Sequence, residues 1–192
     1  MSNQFMLLAA VFITLLSSCQ DTTNYRSYSM RDSTDHAEVA TLDEPRNTVK
    51  VLPATQTVET KDIEPNDLIK YAKTLIGITY KYGSIDPKQG FDCSGFITHV
   101  FNHFGISVPR SSVDFTNVGE EIPVQESKPG DLILFTGTDS TVRVVGHMGI
   151  IVENSDSTRF IHSTSGKQYG VTITPLNSYY QGRFYKVIRV FK

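Results

Sequence analysis

Hydrophobic residues in the middle of the chain recur at intervals of three and four, which is the period of an amphipathic helix. One such segment follows Asn66, a good N-terminal capping residue, and stops at Gly77. A second runs from about Asp92 to Gly105. Its apolar positions are Phe96, Ile97, Val100, Phe101 and Phe104. Because Asp92 is placed to cap this second helix, Cys93 is predicted to fall in its first turn.

After Pro129 the pattern changes to short apolar segments typical of strands, and the last of them alternates. Lys128-Pro129-Gly130-Asp131 is a turn signal that precedes the first of these segments. The predicted strands cover residues 132–135, 147–152, 159–163, 171–174 and 184–191. Helices followed by a run of hairpin-linked strands indicate an α+β domain with an antiparallel sheet, over residues 64–192.

The N-terminal part of the chain has a different pattern. An apolar run over residues 5–16 is followed by Ser17, Ser18 and Cys19. The run is short for a bilayer span but fits the core of a signal peptide, and small residues before a cysteine resemble a bacterial lipobox. Residues 1–19 are therefore interpreted as a lipoprotein signal peptide, with lipidation at Cys19. The alternative is a cytoplasmic protein with an apolar tail.

Residues 20–63 are polar, carry charges of both signs and show no sustained period, which predicts a flexible tether. A coil of this length reaches on the order of 35 Å. Some alternation within residues 49–60 is compatible with a short strand packed on the domain.

Net charge and cysteine usage narrow the function. The chain of 192 residues has a formal net charge of −2 and no basic stripe, so nucleic acid is not expected as a partner. Only two cysteines are present. If Cys19 is lipidated, Cys93 has no disulfide partner in its own chain, and a lone thiol in an exported protein suggests chemistry. The alternative for Cys93 is a buried core position.

Cys93 and two histidines form a candidate nucleophilic site. A helix N-terminus favours an anion, so Cys93 is expected to be biased toward thiolate. His147 lies between Gly146 and Gly149 at the start of a predicted strand, where its imidazole could accept the thiol proton. His162 lies on the next strand, close enough for its ring to hydrogen-bond His147 and fix the tautomer.

Further groups complete this candidate site. The backbone N–H of Cys93 is one predicted oxyanion donor, and the hydroxyl of Tyr80 is a plausible second. Simple packing remains the alternative for the tyrosine and for both histidines. His99 and His103 have the spacing of a helical metal pair but lack a third ligand, so a solvated helix face is expected there. No metal or cofactor is expected.

Four blocks, in order, carry a family resemblance. They are Phe91-Asp92-Cys93-Ser94-Gly95-Phe96, Pro129-Gly130-Asp131-Leu132, Gly146-His147-Met148-Gly149-Ile150 and Phe160-Ile161-His162-Ser163. Together they resemble the NlpC-type papain-like peptidases that cut bacterial cell-wall peptides. The resemblance implies a papain-like α+β fold in which helices, with the nucleophile at a helix N-terminus, pack on an antiparallel sheet.

The same resemblance implies roles for individual residues. Cys93 matches the family's nucleophile, His147 its base and His162 its third polar residue, while Tyr80 matches the tyrosine of its glycine-containing loop. Matches to the residues beside the nucleophile, which in some members bind the amino end of the substrate peptide, and to an Arg-Ser-Ser stretch extend the implied substrate-binding set. Its members are Asp92, Ser94, Arg110 and Ser112.

These observations predict a lipid-anchored cysteine endopeptidase that hydrolyses amide bonds in peptidoglycan stem peptides or crosslinks. The expected location is a bacterial membrane, on the periplasmic side of the outer membrane, and the expected state is a monomer. Two alternatives stay open: a catalytically idle wall-binding module and a papain-like acyltransferase.

Overall fold

The computed structural model describes residues 55–192. The predicted signal peptide, the lipidation site at Cys19 and most of the predicted tether lie outside the described residues. Within residues 55–192, no helix is long and apolar enough to cross a membrane.

The described residues form three α-helices, two short 3-10 helices and six strands. In chain order the helices and strands are α1 (Pro65–Thr74), α2 (Cys93–His103), β1 (Glu120–Ile122), β2 (Leu132–Thr136), β3 (Val145–Asn154), β4 (Thr158–Thr164), β5 (Gly170–Pro175), α3 (Ser178–Arg183) and β6 (Phe184–Arg189). The 3-10 helices cover Ser112–Asn117 and Val124–Glu126. The strands make one sheet in the order β1-β6-β2-β3-β4-β5, and every neighbouring pair is antiparallel. The predicted α+β class is confirmed.

The two predicted helices are present, although one cap differs. Asp92 is the N-cap of α2, and its carboxylate accepts a hydrogen bond from the backbone N–H of Gly95, as predicted. The predicted capping of α1 by Asn66 is wrong, because the helix begins at Pro65 and Glu64 occupies the cap position without a side-chain hydrogen bond. Proline fits the first helical position because the N–H that it lacks would have no helical partner there.

The sheet is covered on both faces, which explains why β2 is buried at every position. On one face, α2 packs against β3 and β4, and α1 packs against α2. The main core on this face includes Leu68, Phe96, Phe101, Leu134, Met148 and Ile161. A smaller cluster on the other face includes Ile133, Phe135, Ile151, Phe160, Tyr180 and Val187. Since side chains alternate along β3, Met148 points into the main core and His147 points to the side of the smaller cluster.

Residues 55–63, at the end of the predicted tether, contact the domain. Gln56 forms an isolated parallel bridge with Val118, and its backbone N–H donates to Asn117 O at 2.7 Å. Val58 is buried against the main core. Packing of the domain therefore extends to residues before Pro65.

An aromatic cluster joins α1 to α2. The hydroxyl of Tyr71 lies 3.0 Å from Nε2 of His99, and the Tyr71 ring stacks on His103 with a centroid distance of 3.6 Å. The expectation of a solvated face is wrong for His99, which is half-buried between Tyr71 and Phe91. Among residues 55–192, no group of three or more His, Cys, Asp or Glu could hold a metal ion.

Candidate active site

The loop before α2 is hydrogen-bonded to the segment that carries Cys93. The backbone of Phe91 accepts from Lys81 N–H at 3.0 Å and donates to Thr79 O at 3.0 Å. The hydroxyl of Ser163 on β4 donates to Phe91 O at 2.7 Å. These bonds fix the start of α2 to both the loop and the sheet.

Cys93 has a solvent exposure of 9% and is a free thiol. Its Sγ lies 3.9 Å from Gly146 O, within range of a weak S–H···O hydrogen bond. Burial, and then the Asp92 carboxylate, raise the pKa of the thiol to about 11, although backbone N–H groups of Ser94, Cys93 and Met148 act to lower it. The expected bias of Cys93 toward thiolate is therefore wrong, because desolvation outweighs the effect of the helix N-terminus.

The rings of His147 and His162 are directly hydrogen-bonded, as predicted. Nε2 of His147 lies 2.8 Å from Nδ1 of His162, and Nε2 of His162 lies 3.0 Å from Oγ1 of Thr174. Gly149 makes this possible, because a Cβ at that position would lie 3.2 Å from Cβ of His162 and 2.7 Å from the ring of Phe160. A larger residue would displace the second histidine from the first.

An apolar, aromatic environment surrounds the two histidines. The rings of Phe135 and Tyr180 approach His147, and those of Phe160 and Tyr180 approach His162. Burial, the neighbouring His162 and the Arg183 cation lower the pKa of His147 well below 6.5. Burial and Arg183 lower the pKa of His162 to about 3. Both rings are therefore neutral at neutral pH.

On the α2 side of the thiol, Asp92 and Arg110 form a bidentate ion pair. The two terminal nitrogens of Arg110 lie 3.0 Å and 2.7 Å from the two carboxylate oxygens of Asp92, and Nη1 also donates to Ser94 Oγ at 3.0 Å. Gly83 N–H donates to the same carboxylate at 2.8 Å. The charges of Asp92 and Arg110 are thus matched within the protein.

Two cavities meet at Cys93. The smaller, of about 410 Å³, is lined by Asp92, Ser94, Arg110 and Ser112. The larger, of about 670 Å³, is lined by His147 and residues of α3. Both are lined by Tyr80, Cys93 and Gly146, so the thiol lies at their junction. The structure thus brings together all the predicted site residues of the domain, with His162 fully buried behind His147.

Sequence reasoning missed three residues of this site. Tyr180 and Arg183 come from α3, and Thr174 is the second hydrogen-bond partner of His162. Helix α3 has only six residues, too few for a hydrophobic period. The sequence offered one sign of this helix, the capping residue Asn177, whose side chain accepts a hydrogen bond from Tyr180 N–H at 3.2 Å.

Comparison with known proteins agrees with this architecture. Residues 77–189 match the model of the NlpC/P60 family. The chain is 34% identical over 123 residues to a Gamma-DL-glutamyl hydrolase of Bacillus subtilis (strain 168), covering 64% of this chain and 29% of the relative. It is 32% identical over 135 residues to Murein DD-endopeptidase MepS/Murein LD-carboxypeptidase of Escherichia coli (strain K12), covering 69% and 66%. The chain thus spans less than two thirds of either relative.

A solved structure gives the same result for the fold. A crystal structure of an NlpC/P60 family protein from Bacillus cereus ATCC 10987 superposes with a TM-score of 0.60 at 28% identity, over 69% of this chain and 42% of that one. The predicted papain-like fold is therefore confirmed. The chain belongs to the NlpC/P60 family.

Proposed function

We propose that this protein is a cysteine peptidase that hydrolyses amide bonds in peptidoglycan stem peptides or their crosslinks. The observation that carries the proposal is the meeting of Cys93 and His147 at one cavity, with His147 hydrogen-bonded to His162. The relatives named above as a hydrolase, an endopeptidase and a carboxypeptidase support this class of reaction.

The first step is attack by the sulfur of Cys93 on the substrate carbonyl carbon. Because Nε2 of His147 is engaged with His162, its free Nδ1 accepts the thiol proton. The tautomers then follow: Nε2–H of His147 donates to Nδ1 of His162, and Nε2–H of His162 donates to Thr174 Oγ1. Since both the thiol and the imidazole are neutral at rest, proton transfer accompanies attack.

The tetrahedral intermediate places a negative charge on the former carbonyl oxygen. The backbone N–H of Cys93, at the start of α2, and the hydroxyl of Tyr80 are the proposed donors to it. His147 then protonates the leaving amine, which breaks the amide bond and leaves a thioester on Cys93. Water, deprotonated by His147, attacks the thioester, releases the carboxylic acid and regenerates the thiol.

The smaller cavity is the proposed site for the acyl part of the substrate. Its wall carries charged and hydroxyl groups from Asp92, Ser94, Arg110 and Ser112. Cys93 lines the same cavity. The amino end of a stem peptide is the group expected there. Outside the described residues, we propose that Cys19 is acylated, anchoring the enzyme to the outer membrane on its periplasmic side, and that the following residues form a spacer.

The test is digestion of purified muropeptides, with products identified by mass spectrometry. Wild-type protein is expected to release stem-peptide fragments, and Cys93→Ala is expected to abolish release while its melting temperature stays within a few degrees. Full activity of Cys93→Ala would contradict the proposal. Absence of products with folded wild-type protein would favour an idle wall-binding module.

A further inference from the structure

Arg183 is the only buried arginine in residues 55–192, with 8% of its surface exposed. Its Nε donates to Gly137 O at 2.9 Å, Nη2 to Thr136 O at 2.8 Å and Nη1 to Tyr179 Oη at 2.6 Å. All three partners are uncharged oxygens. No carboxylate of the described residues forms an ion pair with this guanidinium.

Arg143 also lacks a carboxylate partner among the described residues but is exposed to solvent, and the arginines nearer the core or the site are ion-paired. Arg110 is paired with Asp92, and Arg189 is paired with the buried Asp131 at 2.7 Å. Burial of a cation without a counter-ion is costly, so an unpaired buried arginine needs a reason. Hydrogen bonds to carbonyl oxygens hold the guanidinium in place but leave its charge unmatched.

The guanidinium of Arg183 also lies 5.1 Å from the centroid of the Tyr179 ring, but the described residues around it offer no counter-charge. It lines the larger cavity together with Lys167, and the described residues that line this cavity include no aspartate or glutamate. Lys167 is exposed, at the rim of the cavity. His147 and Cys93, which share the cavity, are both neutral at rest. This side of the thiol therefore carries positive charge and lacks negative charge.

We propose that the larger cavity is a subsite for a carboxylate on the leaving part of the substrate, with Arg183 at its floor and Lys167 at its rim. A guanidinium has five N–H donors, and three are used within the protein, so two remain for an oxygen ligand. The proposal rests on the proposed function, because the acyl part is assigned to the Asp92 side. The leaving residue then enters the Arg183 side.

The ligand class is thus a peptide whose leaving residue carries a free carboxylate near the cleaved amide. A matched probe pair is the tripeptide L-Ala-γ-D-Glu-L-Lys with its C-terminal carboxylate free or amidated. Binding of both peptides is measured by calorimetry on the Cys93→Ala protein, so that the result does not depend on hydrolysis. The free acid is expected to bind about tenfold more tightly than the amide, the effect of a charge-assisted hydrogen bond.

Further substitutions in the Cys93→Ala protein test whether the preference for the free acid depends on Arg183 and Lys167. Lys167→Gln is expected to reduce the acid-over-amide ratio about threefold, and Lys167→Glu is expected to reduce it further, by like-charge repulsion. Arg183→Lys, which keeps the charge but loses the fork geometry, is expected to lower the ratio as well, with folding checked by melting temperature. Lys73→Gln removes an exposed lysine of α1 that lines neither cavity, and should keep the ratio unchanged.

Equal binding of acid and amide, or a ratio unaffected by all the Lys167 and Arg183 variants, would overturn the subsite. Failure of both peptides to bind would overturn it too. Failure of the wild-type protein to hydrolyse any muropeptide, with the binding preference intact, would instead overturn the proposed reaction.

Discussion

The electrostatic environments on the two sides of the Cys93 thiol are opposite. On the α2 side, Asp92 and Arg110 neutralise one another through two short hydrogen bonds. On the sheet side, two histidines stay neutral in an aromatic environment beside Arg183, which has no carboxylate partner in residues 55–192. Cys93 lies between them, at the junction of the two cavities.

In the proposed mechanism, this difference assigns substrate binding to the α2 side and proton transfer to the sheet side. A balanced ion pair shapes a pocket without changing its net charge, which suits recognition of a polar peptide. An unbalanced cation beside neutral bases favours states in which negative charge enters the cavity. The same burial that lowers the pKa of His147 keeps its ring available as a proton acceptor at neutral pH.

The largest expected effect comes from removing His147, the proposed base on the sheet side. His147→Gln keeps amide donors near His162 but has no group that can take the thiol proton. The kcat for muropeptide hydrolysis is expected to fall by about 10²- to 10⁴-fold, the usual contribution of general base catalysis. His103→Gln, which alters an exposed ring stacked on Tyr71, is the control. Activity of His147→Gln within threefold of wild type would remove the sheet side from the mechanism.

A smaller effect is expected on the α2 side, where two similar ion pairs can be compared. Arg110→Gln is expected to lower kcat/KM by about tenfold, mainly through KM, because the wall of the acyl pocket loses its cation. Arg189→Gln breaks the other bidentate pair, at Asp131, which has 3% side-chain exposure and lies outside both cavities.

For Arg189→Gln we expect a loss of stability instead of a loss of activity. The free energy of unfolding should fall by about 3 kcal/mol, because a buried carboxylate loses its partner. Its kcat/KM per folded molecule should match wild type. Kinetics and thermal melts of both variants check this contrast. Equal losses of kcat/KM per folded molecule in the two variants would contradict a specific role of Arg110 in substrate binding.

The last comparison concerns the pH dependence of stability, where the expected effect is small for each pH unit. Above pH 6.5, His162 is neutral in both the folded and the unfolded state. As the pH falls from 6.5 toward 3, His162 becomes protonated in the unfolded chain but stays neutral in the folded protein, because its folded pKa is about 3. Stability should therefore decline across this window, by at most about 1.4 kcal/mol per pH unit for this histidine.

His162→Asn removes that titration while keeping a polar side chain beside His147. The variant is expected to be less stable at pH 7 and to show a shallower loss of melting temperature between pH 6.5 and pH 4. Thermal melts across this range measure the slope. An unchanged slope would mean that the folded His162 titrates normally, and the sheet side would not be held neutral.

Local sequence patterns were sufficient to predict much of the fold. The period of α2, the cap at Asp92 and the apolar segments that form β2 and β3 are set by neighbouring residues, so they could be predicted directly. The contact between His147 and His162 followed from antiparallel pairing of adjacent strands. The catalytic roles of these residues remain predictions.

Features that depend on residues far apart in the sequence could not be predicted from local patterns. The state of the Cys93 thiol was wrongly expected, because the sequence shows a helix N-terminus but not the burial that outweighs it. Arg183 reaches the cavity through a six-residue helix without a periodic pattern, and its lack of a carboxylate partner is visible only after folding.

The proposed mechanism is tested most sharply by the chemical state of Cys93 during turnover. Wild-type protein is mixed with a muropeptide that it cleaves, quenched in acid within milliseconds, and digested for mass spectrometry. We expect a thioester on the peptide that contains Cys93, with the mass of the acyl part of the stem peptide, and a lower yield of this thioester in His147→Gln. Hydrolysis that proceeds at full rate with Cys93 unmodified and replaceable by alanine would contradict the proposed mechanism.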